Sequence, residues 1–196
     1  MKPIVVRMNE ANISTKEQPV IGTEALGPCV GVLIYSKKHK KSVVFHASTE
    51  WQPLVVESLI ILADNNLISG ENFSKAVANL QLHNKFNLFD FDRKAKQEIL
   101  TKKGLNFDEK EIEETLEVTI IPGYYKDHYD VALNMTKFFL TLEPLFTVKR
   151  NELPKKAVRI RMFEDLGSHE FFFNSETGKF VTEKVIDKID SKGYRL

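Results

Sequence analysis

The sequence predicts an α+β domain, and three patterns carry that expectation. Short apolar runs bounded by turn residues recur, as at 30–36, 42–46 and 116–121. Two longer stretches, 53–66 and 129–141, repeat their apolar residues at helical spacing. A closing Phe171-Phe-Phe173 run, a polar Asn174-Ser-Glu-Thr-Gly-Lys179 stretch and then Phe180-Val181 read as a hairpin whose glycine suits its turn. The 196 residues suit a single domain spanning 1–196, with an inserted segment at about 68–115.

Composition narrows the class further. A net charge of +1 removes the general electrostatic argument for nucleic acid or an anionic membrane as partner. One cysteine excludes an intramolecular disulfide and gives no sign of an oxidising compartment. The opening Met-Lys-Pro-Ile-Val-Val-Arg has too short an apolar run for a leader or a membrane span, so the expected location is the cytoplasm.

In chain order, Pro3 to Met8 predicts a first strand, and a second extended piece starts near Pro19. Cys29 to Ser36 is almost wholly apolar, which predicts a strand buried on both faces. Lys37-Lys-His-Lys-Lys41 predicts a solvated turn, and Ser42 to His46 the returning strand of a hairpin. Pro53 opens a helix to about Asn66 that is apolar nearly all round and therefore buried. From Ile68 to Thr115 apolar positions thin out. Ser74 to Leu82 fits helix or strand, Arg93 to Lys103 a polar helix stopped by Gly104, and the whole reads as an insertion at the domain edge. Leu116 to Ile121 returns to the core as a strand broken by Pro122-Gly123. Tyr129 to Thr141 is an amphipathic helix, and 146–148 and 158–162 are strands.

The chemistry centres on Cys29, which starts one strand of the first hairpin, and His46, which ends the other. Antiparallel pairing brings both to the same end of the hairpin. A thiol becomes a nucleophile when a neighbouring imidazole takes its proton. A third group that orients the imidazole is found in Thr23, with Ser48 and Thr49 as rivals. Backbone N–H groups of Cys29 and Val30 are candidate oxyanion donors. An activated pair of this kind predicts a thiol that alkylates faster than a free one at neutral pH. The competing reading is a small buried structural cysteine beside an unrelated histidine.

The pattern Thr23-x-x-Leu26-Gly27-x-Cys29-Val30, with His46 after it, resembles the chemoreceptor glutamine deamidase (CheD) family. The likeness extends to the helix at 53–66, to Ile120-Ile-Pro-Gly123 before a helix bearing Asn134, and to the Phe173–Phe180 hairpin. It implies mixed sheets packed as a sandwich with flanking helices, related to bacterial toxin deamidases. It implies that Thr23, Cys29 and His46 are a catalytic triad acting on a protein glutamine, with no cofactor and no metal, and that Asn134 belongs to the substrate region. The chain departs from the family at four places: Pro28 replaces its serine, Ala47-Ser-Thr-Glu50 follows the histidine in place of apolar and proline residues, Pro122-Gly123 replaces a glycine pair, and Leu133 replaces its arginine. With the long insertion, they suggest a substrate other than a chemoreceptor, and delivery into a host cell as an effector. The runner-up function is a non-catalytic binding protein that keeps the fold.

The remaining candidates read as structural. His39 lies in the lysine turn, and His83, His128 and His169 lack the spacing of a metal site, although His128 near Tyr124 and Tyr125 can border the cleft. Trp51 and Pro53 fit a core better than a cleft wall. Phe89-Asp-Phe-Asp92 is either a docking loop or a pinned insertion, and no nucleic-acid or membrane partner is expected.

Overall fold

All seven residues of β4 (Val30–Ser36) are buried, because this strand is central in its sheet and covered on both faces. A computed structural model describes residues 2–83, 107–108, 110, 112–123, 129–149, 159–163 and 166–181. Before β4 come β1 (Ile4–Val6), β2 (Ala11–Ile13) and β3 (Val20–Leu26), and after it β5 (Lys41–Ala47). Then follow α1 (Gln52–Asp64), α2 (Gly70–His83), β6 (Leu116–Pro122), α3 (Tyr129–Thr141) and β7 (Phe146–Lys149). The described chain closes with β8 (Arg159–Phe163), β9 (Leu166–Asn174) and β10 (Lys179–Phe180).

The strands form two mixed sheets. The first runs β2-β5-β4-β6-β7, antiparallel except for β6–β7. The second runs β1-β3-β9, with β8 and β10 both on the far edge of β9, and its one parallel pair is β1–β3. The alternation of side chains along β4 and β5 sorts the core into two layers. Val30, Val32, Ile34, Val43, Phe45 and Ala47 face the helices and pack with Leu59, Phe138, Phe139 and Phe146. Leu33, Tyr35 and Val44 face the second sheet and meet Val6, Ile21, Leu26, Phe171 and Phe173. Each such fully buried side chain contributes roughly 1.5–3 kcal/mol of transfer free energy.

The helical layer departs from the sequence reading in one place. The start of the expected insertion is helix α2, which lies against α1 and α3 and buries Ala76 and Leu80 in the main core. The weak apolar signal reflects a packing face that mixes buried Asn72 and Asn79 with Ala76 and Leu80. The expected elements within 84–106 and the tail beyond 181 lie outside the described residues. Three of the four lysines of the turn meet carboxylates, Lys37–Glu117 at 2.6 Å, Lys38–Glu113 at 2.9 Å and Lys40–Glu176 at 2.9 Å, and Lys41 Nζ donates to Asn65 Oδ1 at 3.0 Å. Pro122 fits inside β6 because its neighbour Val30 directs its hydrogen bonds to β5, so no ladder bond is lost.

Candidate active site

Alternation along β5 turns Ser42, Val44 and His46 toward the second sheet, and alternation along β3 turns Ile21 and Thr23 toward them. Thr23 and His46 meet across the sandwich, with Thr23 Oγ1 2.8 Å from His46 Nδ1. The same hydroxyl donates to the Val6 carbonyl at 2.7 Å, with the Glu24 carbonyl a longer alternative at 3.4 Å. Carbonyls only accept, so the hydroxyl proton is committed and Nδ1 must be the donor to Oγ1. That assigns the neutral Nδ1–H tautomer and leaves Nε2 as a bare lone pair. Nε2 is buried and has no hydrogen-bond partner. Burial lowers the His46 pKa from 6.5 to about 4, so the imidazole is neutral across the physiological range.

Cys29 immediately precedes β4. His46 exchanges backbone hydrogen bonds with the β2 side, through Asn9 N–H to its carbonyl at 2.7 Å and its own N–H to Glu10 at 3.1 Å. Gly31 and His46 are therefore a non-hydrogen-bonded pair, the kind in which opposed residues approach most closely. Glycine opposite the imidazole is a packing requirement: a Cβ at 31 would lie 2.6 Å from Phe171 Cε1 and 3.0 Å from Leu26 Cδ1. Cys29 is two residues before Gly31, joins the same inter-sheet cluster, and so shares the His46 face. Its route there is irregular. β3 carries a bulge between Thr23 and Leu26, Ala25 has φ 56°, and Gly27 N–H returns to the Ala25 carbonyl at 2.8 Å. A left-handed alanine costs about 1–2 kcal/mol, which the surrounding packing must offset.

The resting pair is not an ion pair. Cys29 is 3% exposed, burial raises its pKa, and Nε2 accepts no bond from the thiol. This setting runs against the expectation of a fast-alkylating thiol, because burial that raises the thiol pKa favours the protonated form.

The other expected site residues separate. Val30 N–H is not available as an oxyanion donor, because the ladder parity that frees Gly31 commits Val30 to the Ala47 carbonyl. Its side chain lies in the helical core. The Cys29 N–H remains the candidate donor. Asn134 is exposed on α3, whose Met135, Phe138 and Phe139 pack on the opposite face of the first sheet from His46, with exposed Leu133 beside it. Ser48 bonds Asn9 Oδ1 at 2.9 Å, so the orienting hydroxyl is that of Thr23. Trp51 packs against Phe138 with ring centroids 5.7 Å apart, the core reading. His39 is exposed; His128 and the side chain of His83 lie outside the described residues.

One residue near the site was read in the sequence only as a histidine without metal-site spacing. His169 Nδ1 is 3.0 Å from the Pro122 carbonyl, at the Cys29 end of the sandwich. The signal was present in the alternation of 169, 171 and 173, which puts the histidine on the same face as two core phenylalanines. Among the described residues no group of three or more His, Cys, Asp or Glu side chains is placed to hold a metal ion. No described helix is long and apolar enough to cross a membrane. No protein-family model matches the chain, and no curated protein matches it in sequence.

Proposed function

We propose that the chain is a cysteine-dependent amidohydrolase that converts a glutamine side chain of a protein substrate to glutamate, in the manner of the CheD family it resembles. One observation carries this reading: Thr23 holds His46 in the tautomer that leaves Nε2 bare, on the inter-sheet face it shares with Cys29. A buried lone pair without a partner is costly, by about 1–3 kcal/mol, and a general base is a role that repays it.

In the proposed reaction, substrate docking displaces the 25–28 segment and brings the thiol to Nε2. Nε2 takes the thiol proton as Sγ bonds to the carboxamide carbon, and the carbonyl electrons move onto oxygen. Attraction within the new ion pair, about 4 kcal/mol at 4 Å in an effective dielectric of 20, offsets part of the desolvation that opposes ionisation. The oxyanion collapses, and Nε2–H protonates the departing ammonia to leave a thioester. Nε2 then deprotonates water, which attacks the thioester; Sγ leaves and recovers the proton, and glutamate is released. Cys29 N–H is the backbone donor for the oxyanion. Pro28 and Leu133, where the family has serine and arginine, and the length of 68–115 support a substrate other than a chemoreceptor, within the cytoplasm or in a host cell to which the chain is delivered.

The burial of Cys29, with no bond from its thiol to Nε2, favours a second reading: a binding protein that keeps the fold without turnover. A cell lysate incubated with wild type or with Cys29→Ser, and compared by peptide mass spectrometry, separates the two. Glutamine-to-glutamate conversion confined to the wild-type sample supports the enzyme. Identical peptide profiles across the proteome overturn it.

A further inference from the structure

β9 places His169 on the same face as Phe171 and Phe173, opposite Leu26 on β3. There its Nδ1 lies 3.0 Å from the Pro122 carbonyl, and a carbonyl only accepts, so Nδ1 carries the hydrogen. Pro122 sits opposite Val30 at the end of β6, and Gly123 follows it. A Cβ at 123 would overlap the carbonyl oxygens of Leu26, Gly27 and Cys29, so the Gly123 backbone lies flush against the loop that delivers the thiol. Proline has no N–H, which leaves the Pro122 carbonyl as its only backbone hydrogen-bonding group.

We propose that His169 is a positioning residue: through the Pro122 carbonyl it clamps Pro122-Gly123 against the 26–29 loop and so sets the place of Cys29. The inference rests on the deamidase reading for its catalytic consequence, but the clamp itself is a property of the loop. The loop crosses from the second sheet to the first, and the His169–Pro122 bond joins those two sheets beside it. Misplacement of a reacting group by about 1 Å costs on the order of a hundredfold in rate. A donor that touches no substrate therefore matters to turnover.

The experiment uses the intact chain as wild type, His169→Leu, His169→Asn and Gly123→Ala. Cys29 modification by iodoacetamide is followed by intact mass at about pH 8, where thiol reactivity is readily measured. Release of the clamp loosens the loop, so His169→Leu alkylates about tenfold faster while glutamine conversion falls about tenfold in kcat with little change in KM. His169→Asn, whose amide N–H replaces the lost donor, stays within about twofold of wild type in both measurements. Gly123→Ala reproduces the fast-alkylating, slow-turnover signature with His169 intact. Alkylation of folded His169→Leu at the wild-type rate, or His169→Asn behaving like His169→Leu, overturns the proposal. Should His169→Leu not fold, wild-type behaviour of His169→Asn together with fast alkylation of Gly123→Ala supports it, and any other pairing overturns it. If no variant, wild type included, converts glutamine, the deamidase reading fails while the alkylation series still decides the clamp.

Discussion

The inter-sheet space of this sandwich has two polar ends, and β5 reaches both, with Ser42 near one and His46, four residues on, at the other. At about 3.4 Å per residue they stand about 14 Å apart. At the Ser42 end, the Ser175 hydroxyl lies 2.7 Å from Ser14 Oγ and 2.9 Å from Ser42 Oγ, and Ser42 N–H donates to Ser14 Oγ at 2.9 Å. Ser14 N–H donates to the Ser42 carbonyl at 2.8 Å, Ser175 N–H to the Pro19 carbonyl at 2.9 Å, and Tyr35 OH to the Ser175 carbonyl at 3.2 Å. At that end each of the three serine oxygens has a hydrogen-bond partner, and the cluster pins the hairpin turn of the second sheet to the first. At the His46 end the accounting stops one atom short, at Nε2. At the Ser42 end the buried hydroxyls hold the two sheets together and each has a hydrogen-bond partner. At the other end His46 Nε2 is a buried lone pair without a partner on the inter-sheet face that Cys29 shares, and the proposed chemistry rests on that difference.

That contrast is breakable. The largest effect expected is on turnover: Cys29→Ser lowers glutamine conversion by at least about a thousandfold in the lysate assay, whereas Ser175→Ala, at the satisfied end, leaves it unchanged. Second is acid stability. The folded pKa of His46, about 4, lies below the unfolded value of 6.5, so between these pH values the unfolded state binds the extra proton. The His46 contribution is complete above about pH 6.5 and is lost as pH falls toward 4. The loss reaches about 3 kcal/mol, read as a fall in the urea midpoint that His46→Leu does not show. Third, Gly31→Ala inserts a methyl against Phe171 and Leu26 and destabilises by about 1–3 kcal/mol in the same urea titration. Smallest, and of opposite sign at the two ends, are the polar deletions. His46→Leu removes an orphaned acceptor and raises stability by about 1 kcal/mol, while Ser175→Ala leaves partners unsatisfied and lowers it by about 1–2 kcal/mol. Equal signs from the two deletions would dissolve the distinction between the ends.

Much of this was legible beforehand. The first hairpin, the two main helices and the closing hairpin follow from runs of apolar residues and turn chemistry, and the structure has them at the expected places. The Thr23–His46 contact was legible as a motif, and the two residues meet at 2.8 Å. The start of the expected insertion is harder to read, since α2 packs on α1 and α3 through a face that mixes Asn72 and Asn79 with Ala76 and Leu80, which dilutes its apolar character. Val30 and Asn134 were placed by proximity in sequence or resemblance. Ladder parity commits the N–H of Val30, and helix rotation turns Asn134 to solvent.

The sequence by itself determined which strands are buried on two faces, where the chain turns, and that one thiol and one histidine come to the same end of one hairpin. Those are consequences of period and spacing, which are local. Only the tertiary structure decided which nitrogen of His46 carries the proton, because that depends on where Thr23 sends its own hydrogen, and the acceptor is the Val6 carbonyl on β1, the strand parallel to β3. It also decided that the thiol rests protonated and enclosed, because burial is a property of the two sheets together and of no single strand.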